Sequence, residues 1–159
     1  MHTYLLLVIG VLCFCLLGGP CFALENSKGG NMDSRRYETG LEVLRQVDGK
    51  GGEAVVESLR NIAPDFSRYL VEFPFGDIYA RPGLDLKNRE IATVAALTAL
   101  GNAGPQLRVH IAAALHVGCT REEIVEVIMQ MAVYAGFPAA LNGLFAARDV
   151  FGEHTVPQK

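Results

Sequence analysis

Ile124, Val127, Ile128, Met131 and Ala135 recur at three- and four-residue intervals while Glu122, Glu123, Glu126 and Gln130 take the opposite side. That is the pattern of a helix with one buried face. Reading the rest of the chain in the same way predicts helices at 34–47, 53–61, 64–79, 86–100, 105–117, 121–134 and 138–151, with no strand and no internal repeat. The run Ile91 to Leu100 (IATVAALTAL) is apolar almost all round. A soluble helix sustains such a run only in the middle of a bundle or against another subunit, so this is the expected central helix. Small residues on it and on its successor (Ala112, Ala113, Ala114) let helix backbones approach closely. The expectation is an all-α, compact bundle of about six to seven helices over residues 33–152, followed by a short tail, 153–159.

Local punctuation agrees with this register. Asp85 is placed to cap the helix that follows it, Gly101 to close that helix, and Pro105 to occupy a first turn where a missing N–H is harmless. Gly118 ends the next helix, and Thr120-Arg121-Glu122-Glu123 reads as a capping box for the one after.

The N-terminus follows a different pattern. The first 24 residues carry no Asp, Glu, Lys or Arg, and Tyr4 to Leu17 is a nearly unbroken apolar run ended by Gly18, Gly19 and Pro20. This is the make-up of a secretory leader, and Cys21-Phe22-Ala23 offers a small-x-small cleavage site. Residues 1–23 are expected to be a signal peptide and 24–32 a flexible linker, giving an exported, periplasmic or secreted protein with no stable membrane association after cleavage. The alternative is an uncleaved membrane anchor, although the run is shorter than the roughly 20 residues a spanning helix needs. Cleavage removes Cys13, Cys15 and Cys21 and leaves Cys119 alone, so no internal disulfide is expected.

Composition narrows the partners. A net charge of -3 with no Lys/Arg run offers no footprint for phosphates, so nucleic acid is not an expected partner. No HExxH, CxxC, Gly-rich phosphate loop or nucleophile elbow occurs, so no metal or nucleotide cofactor is expected.

Two residues interrupt otherwise apolar faces. On the helix from Pro105, steps of about 100° place His110 beside Leu107 and Ala114 and turn His116 away. Glu90 is the lone carboxylate on a face shared with Leu86, Val94 and Leu97. A buried carboxylate needs a partner, and the neighbouring helix offers His110. The pair reads either as a proton-transfer couple in a cleft or as a core histidine beside a carboxylate that bends out to solvent. Arg81, in the aromatic-rich approach to the Pro82-Gly83 turn, is either a two-point carboxylate clamp or a residue tying that turn together. Arg89 is explained by an exposed helical pair with Asp85, and Cys119 reads as a small turn residue.

Two stretches, FGDIYARPGLDLKNREIATVAALTALG and HIAAALHVGCTREEIVEVIMQMAVYAGFPAALNGLFAA, resemble the carboxymuconolactone decarboxylase family over roughly Phe75 to Val150. The resemblance implies an all-α fold shared with the alkyl hydroperoxide reductase accessory proteins, assembly as homotrimers or homohexamers, and decarboxylation of a small carboxylate substrate without a cofactor. It casts His110 as general acid/base, Glu90 as its orienting partner, Arg81 as carboxylate or oxyanion clamp, and Tyr134 as a pocket hydrogen-bond donor. The redox branch of the family carries a Cys-x-x-Cys ahead of the histidine, and those positions align with Ala103 and Gln106 here. A peroxidase role therefore lacks its attacking sulfur. The rival from another class is a non-catalytic oligomer that binds a small hydrophobic acid or a partner protein.

Overall fold

In a computed structural model, residues 29–153 are described, and they form α1 (Gly29–Asp48), α2 (Lys50–Leu59), α3 (Pro64–Leu70), a π-helical segment (Val71–Tyr79), α4 (Leu86–Leu100), α5 (Gly104–His116), α6 (Arg121–Ala135) and α7 (Phe137–Glu153). No strand occurs among them. The signal-peptide and C-terminal-tail expectations fall outside the described residues, apart from Glu153, which closes α7. Among the described residues no helix is long and apolar enough to cross a membrane.

The expected helix boundaries hold where caps define them. The Asp85 carboxylate accepts the Asn88 N–H at 2.8 Å, Gly101 closes α4 at φ 70°, and the Thr120–Glu123 capping box opens α6 with both reciprocal bonds present. Three boundaries differ. The second helix, expected at 53–61, spans Lys50–Leu59. The first helix opens at Gly29, inside the tract read as a linker. The helix expected at 64–79 changes winding after Leu70 and continues as a π-helix. Pro74 sits inside that segment; it has no N–H to donate and its ring would clash with the carbonyl four residues back in α-helical winding, and the wider turn relieves that clash.

Two hydrophobic clusters make the core. Leu44 and Val47 of α1, Val56 of α2, Val71 and Phe75 of the π-segment and Ala113 of α5 form one. Val94 of α4, Leu107 and Ile111 of α5, Ile124 and Ile128 of α6 and Val150 of α7 contribute to the other. Helix α5 has a side in each, so its two apolar faces join the halves of the bundle. The α1–π contact is close: a Cβ on Gly40 would lie 2.3 Å from the Val71 carbonyl oxygen, and one on Gly76 would lie 2.6 Å from that of Arg36. Arg36 fastens the same crossing from its edge with a forked bond to the Asp77 carboxylate, which holds that carboxyl below its ordinary range.

Candidate active site

The seam between the two clusters holds the polar residues. Glu90, one turn into α4, is completely buried. Its Oε2 is 2.8 Å from His110 Nδ1 on α5, and its Oε1 accepts the Tyr79 hydroxyl at 2.9 Å. Both oxygens of a carboxylate removed from water are thus satisfied, as burial requires. The Tyr79 phenol oxygen also lies 2.7 Å from the Thr93 hydroxyl, which donates to the Arg89 carbonyl at 3.0 Å. Burial, reinforced by the neighbouring negative charge of Glu90, pushes the Tyr79 phenol up to about 12, so it remains a protonated donor. The ring is set by packing on Phe75, 5.3 Å between centroids, and by the Arg89 guanidinium 5.5 Å over its face.

This network forms one wall of a cavity of about 570 Å³ bounded by α1, α2, the end of α3, the π-segment, α4 and α5. His110 lines it and keeps about a quarter of its side chain accessible. With Nδ1 engaged by Glu90, Nε2 is the ring nitrogen left for a ligand. Asp48, the last residue of α1, also lines the cavity. Burial raises its carboxyl above the ordinary value, with the charge of Glu90 adding to the rise and His110 and His116 opposing it. Among the described residues the lining contains no Arg or Lys, and no three His, Cys, Asp or Glu side chains are gathered as metal ligands.

The structure thus brings together Glu90 and His110, the pair singled out in the sequence. It leaves Arg81 and Tyr134 outside the cavity lining. Arg81 is exposed on the loop before α4, where its carbonyl accepts the Arg89 guanidinium at 2.9 Å, and Tyr134 is 75% exposed on α6. Arg89 bonds the Leu84 and Arg81 carbonyls rather than Asp85, and so holds the turn that Arg81 was considered for. Gln106, at one of the positions that align with the redox thiols, lines the cavity. Cys119 is buried beside the Lys87 carbonyl, 3.8 Å away, and burial raises its thiol, the opposite of what a reactive sulfur needs.

Three polar cavity residues, Thr93, Tyr79 and Asp48, were not singled out from the sequence. Thr93 was legible in principle, being three residues after Glu90 and therefore on the same helical face. Tyr79 and Asp48 carried no such signal, because only the π-winding and the α1–α5 packing bring them there.

Comparison with known proteins gives this arrangement a family. The carboxymuconolactone decarboxylase family profile matches residues 64–149, which include Tyr79, Glu90, Thr93 and His110. The 4-carboxymuconolactone decarboxylase of Acinetobacter baylyi is 37% identical over 120 residues, 75% of this chain and 89% of the relative. The nitrosuccinic acid decarboxylase of Metarhizium robertsii is 30% identical over 133 residues, 81% of this chain and 90% of the relative. A profile match that spans the buried Glu90–His110 pair, together with relatives matched along nearly their whole length, means that the chain belongs to the carboxymuconolactone decarboxylase family.

Proposed function

We propose that this protein is a decarboxylase of small organic acids, a lactone acid or keto acid, in which His110 is the acid–base residue and Glu90 its positioning residue. The observation that carries this reading is the fully buried Glu90 carboxylate bonded to His110 Nδ1 at the wall of the cavity. Carboxymuconolactone is a lactone acid and nitrosuccinic acid a nitro acid; the lactone carbonyl and the nitro group are both electron acceptors. Such a substrate supplies its own electron sink and needs no cofactor. The carbon–carbon bond to the carboxylate breaks, CO2 leaves, the electron pair moves into the acceptor, and a proton returns to the carbon. Imidazolium His110 can pair with the carboxylate through Nε2–H and then deliver that proton, recovering it from water. Glu90 stabilises the imidazolium, and Tyr79 holds Glu90 in place.

The test is CO2 release from carboxylated lactones and β-keto acids. His110→Gln is expected to lower turnover by roughly 10²–10⁴-fold with the fold intact. Glu90→Gln is expected to lower it less and to displace the pH profile, a readout that a purely structural role does not move. Equal loss of thermal stability in both variants, with no selective loss of rate, contradicts the proposal. A non-catalytic acid-binding role predicts binding without turnover in the wild type.

Two further parts of the proposal concern export and assembly. Export follows from the apolar leader, and N-terminal sequencing of protein made with its native leader should find Leu24 first. A chain that retains Met1 and fractionates with membranes contradicts it. Homo-oligomerisation, as a trimer or hexamer, is supported by apolar side chains exposed on α6 and α7, among them Val133, Phe137 and Phe145.

A further inference from the structure

The cavity is larger and more apolar than a bare lactone acid or short keto acid requires. Its volume of about 570 Å³ lies well inside the range of roughly 300–1,000 Å³ typical of sites that enclose drug-sized ligands. The polar groups are confined to part of the lining. Tyr79 is engaged with Glu90, Thr93 with Tyr79 and the Arg89 carbonyl, Asp48 lies within electrostatic reach of His110, and Gln106 stands one turn before His110 on α5. Much of the remaining wall is hydrocarbon: Leu44, Val47, Val55, Val56, Leu70 and Pro74, from α1, α2, α3 and the π-segment. Water held against such a wall finds few hydrogen-bond partners, whereas an apolar chain loses nothing by entering. Charge is equally selective. Among the described residues His110 is the one lining side chain that can become cationic, and Asp48 is a second acid in the same wall. A ligand with one carboxylate is therefore matched, and a second carboxylate has no cation to meet.

We propose that the ligand of this site is an amphipathic monocarboxylic acid, its carboxylate at His110 and its hydrocarbon body lying between α1, α2 and the π-helical segment. As a substrate class the proposal rests on the decarboxylase reading, but the binding mode does not depend on turnover. It sets this protein apart from its relative named for nitrosuccinic acid, which is a dicarboxylic acid.

The experiment has a binding arm and a turnover arm. In the first, calorimetry measures saturated carboxylates that cannot lose CO2, from butanoate to octanoate, with the eight-carbon dicarboxylate suberate alongside. Affinity is expected to rise roughly fourfold per methylene, as transfer of a buried CH2 predicts, and suberate is expected to bind at least about tenfold more weakly than octanoate, because its second charge is buried unpaired. Val55 lines the cavity and is 40% exposed, so Val55→Asp should leave the fold intact and abolish the chain-length dependence, while Val55→Asn weakens it less. In the second arm, β-keto acids of increasing chain length should show rising kcat/KM. Affinity that is flat with chain length, or suberate binding as tightly as octanoate, overturns the proposal. Chain-length-dependent binding with no turnover of any acid leaves the proposal standing and removes the decarboxylase reading. Turnover accompanied by affinity that is indifferent to chain length keeps the decarboxylase and removes the amphipathic ligand.

Discussion

Glu90 and Asp48 are two carboxylates near one histidine, and their environments differ. Glu90 has no exposure and a partner on each oxygen; Asp48 is half-buried, and burial outweighs the attraction of His110 and His116. The consequence for stability has a definite sign. With the Asp48 carboxyl raised above its ordinary 3.8, the folded protein retains a proton that the unfolded chain has released, across a window from 3.8 up to the native midpoint. Stability therefore falls as pH rises through that window, and above it the ionised carboxylate remains a destabilising group. Asp48→Asn is expected to unfold at a higher temperature than wild type at neutral pH, with the difference vanishing below about pH 3.8. Thermal unfolding followed across pH checks this; a variant no more stable than wild type at pH 7 contradicts it.

The π-helical segment is the element that turns a bundle into a site. It supplies Pro74, Phe75 and Tyr79 to the cavity, and its seating on α1 depends on two glycines. A methyl at Gly40 would meet backbone, the Val71 carbonyl oxygen at 2.3 Å, and backbone cannot rotate aside as a side chain can. Gly40→Ala is accordingly expected to destabilise the fold by about 1–3 kcal/mol or more, the usual range for overpacking. Gly83→Ala, where a Cβ meets nothing within 4 Å, is the matched control and should change little. Because Tyr79 rides on the displaced segment, the Gly40 variant should also lose activity beyond its loss of stability. Chemical denaturation beside kinetics of the folded fraction separates the two effects.

For the whole molecule, the question is the apolar surface left uncovered by a single chain. Val133, Tyr134 and Phe137 are each at least 75% exposed, and Met129, Leu141 and Phe145 on the same two helices are exposed by about half. Helix α4, read as a central helix, packs on α5, α6 and α7 yet leaves Leu100 65% exposed. Apolar side chains exposed to this degree favour association. Light scattering coupled to gel filtration is expected to give a trimer or hexamer at micromolar concentration, and Val133→Glu is expected to shift it toward monomer. A wild-type monomer sinks the oligomer proposal and leaves the cavity, on the α1–α2 side of the chain, unaffected.

Helix identity and most boundaries were legible in the sequence because their causes are local: Asp85, Gly101, Gly118 and Thr120 act on neighbours within a turn, and apolar periodicity needs only one helix. The Glu90–His110 pair was legible for the same reason, since each residue interrupts the apolar face of its own helix. The π-winding after Leu70 was not, although Pro74 marked the place, because the choice between kinking and widening a helix depends on what packs against it. Asp48 and Tyr79 belonged to no local pattern. Asp48 lies 62 positions before His110 and Tyr79 lies 11 before Glu90. Only the crossing of α1 over the π-segment, and the packing of α1 on α5, brings them to the same cavity.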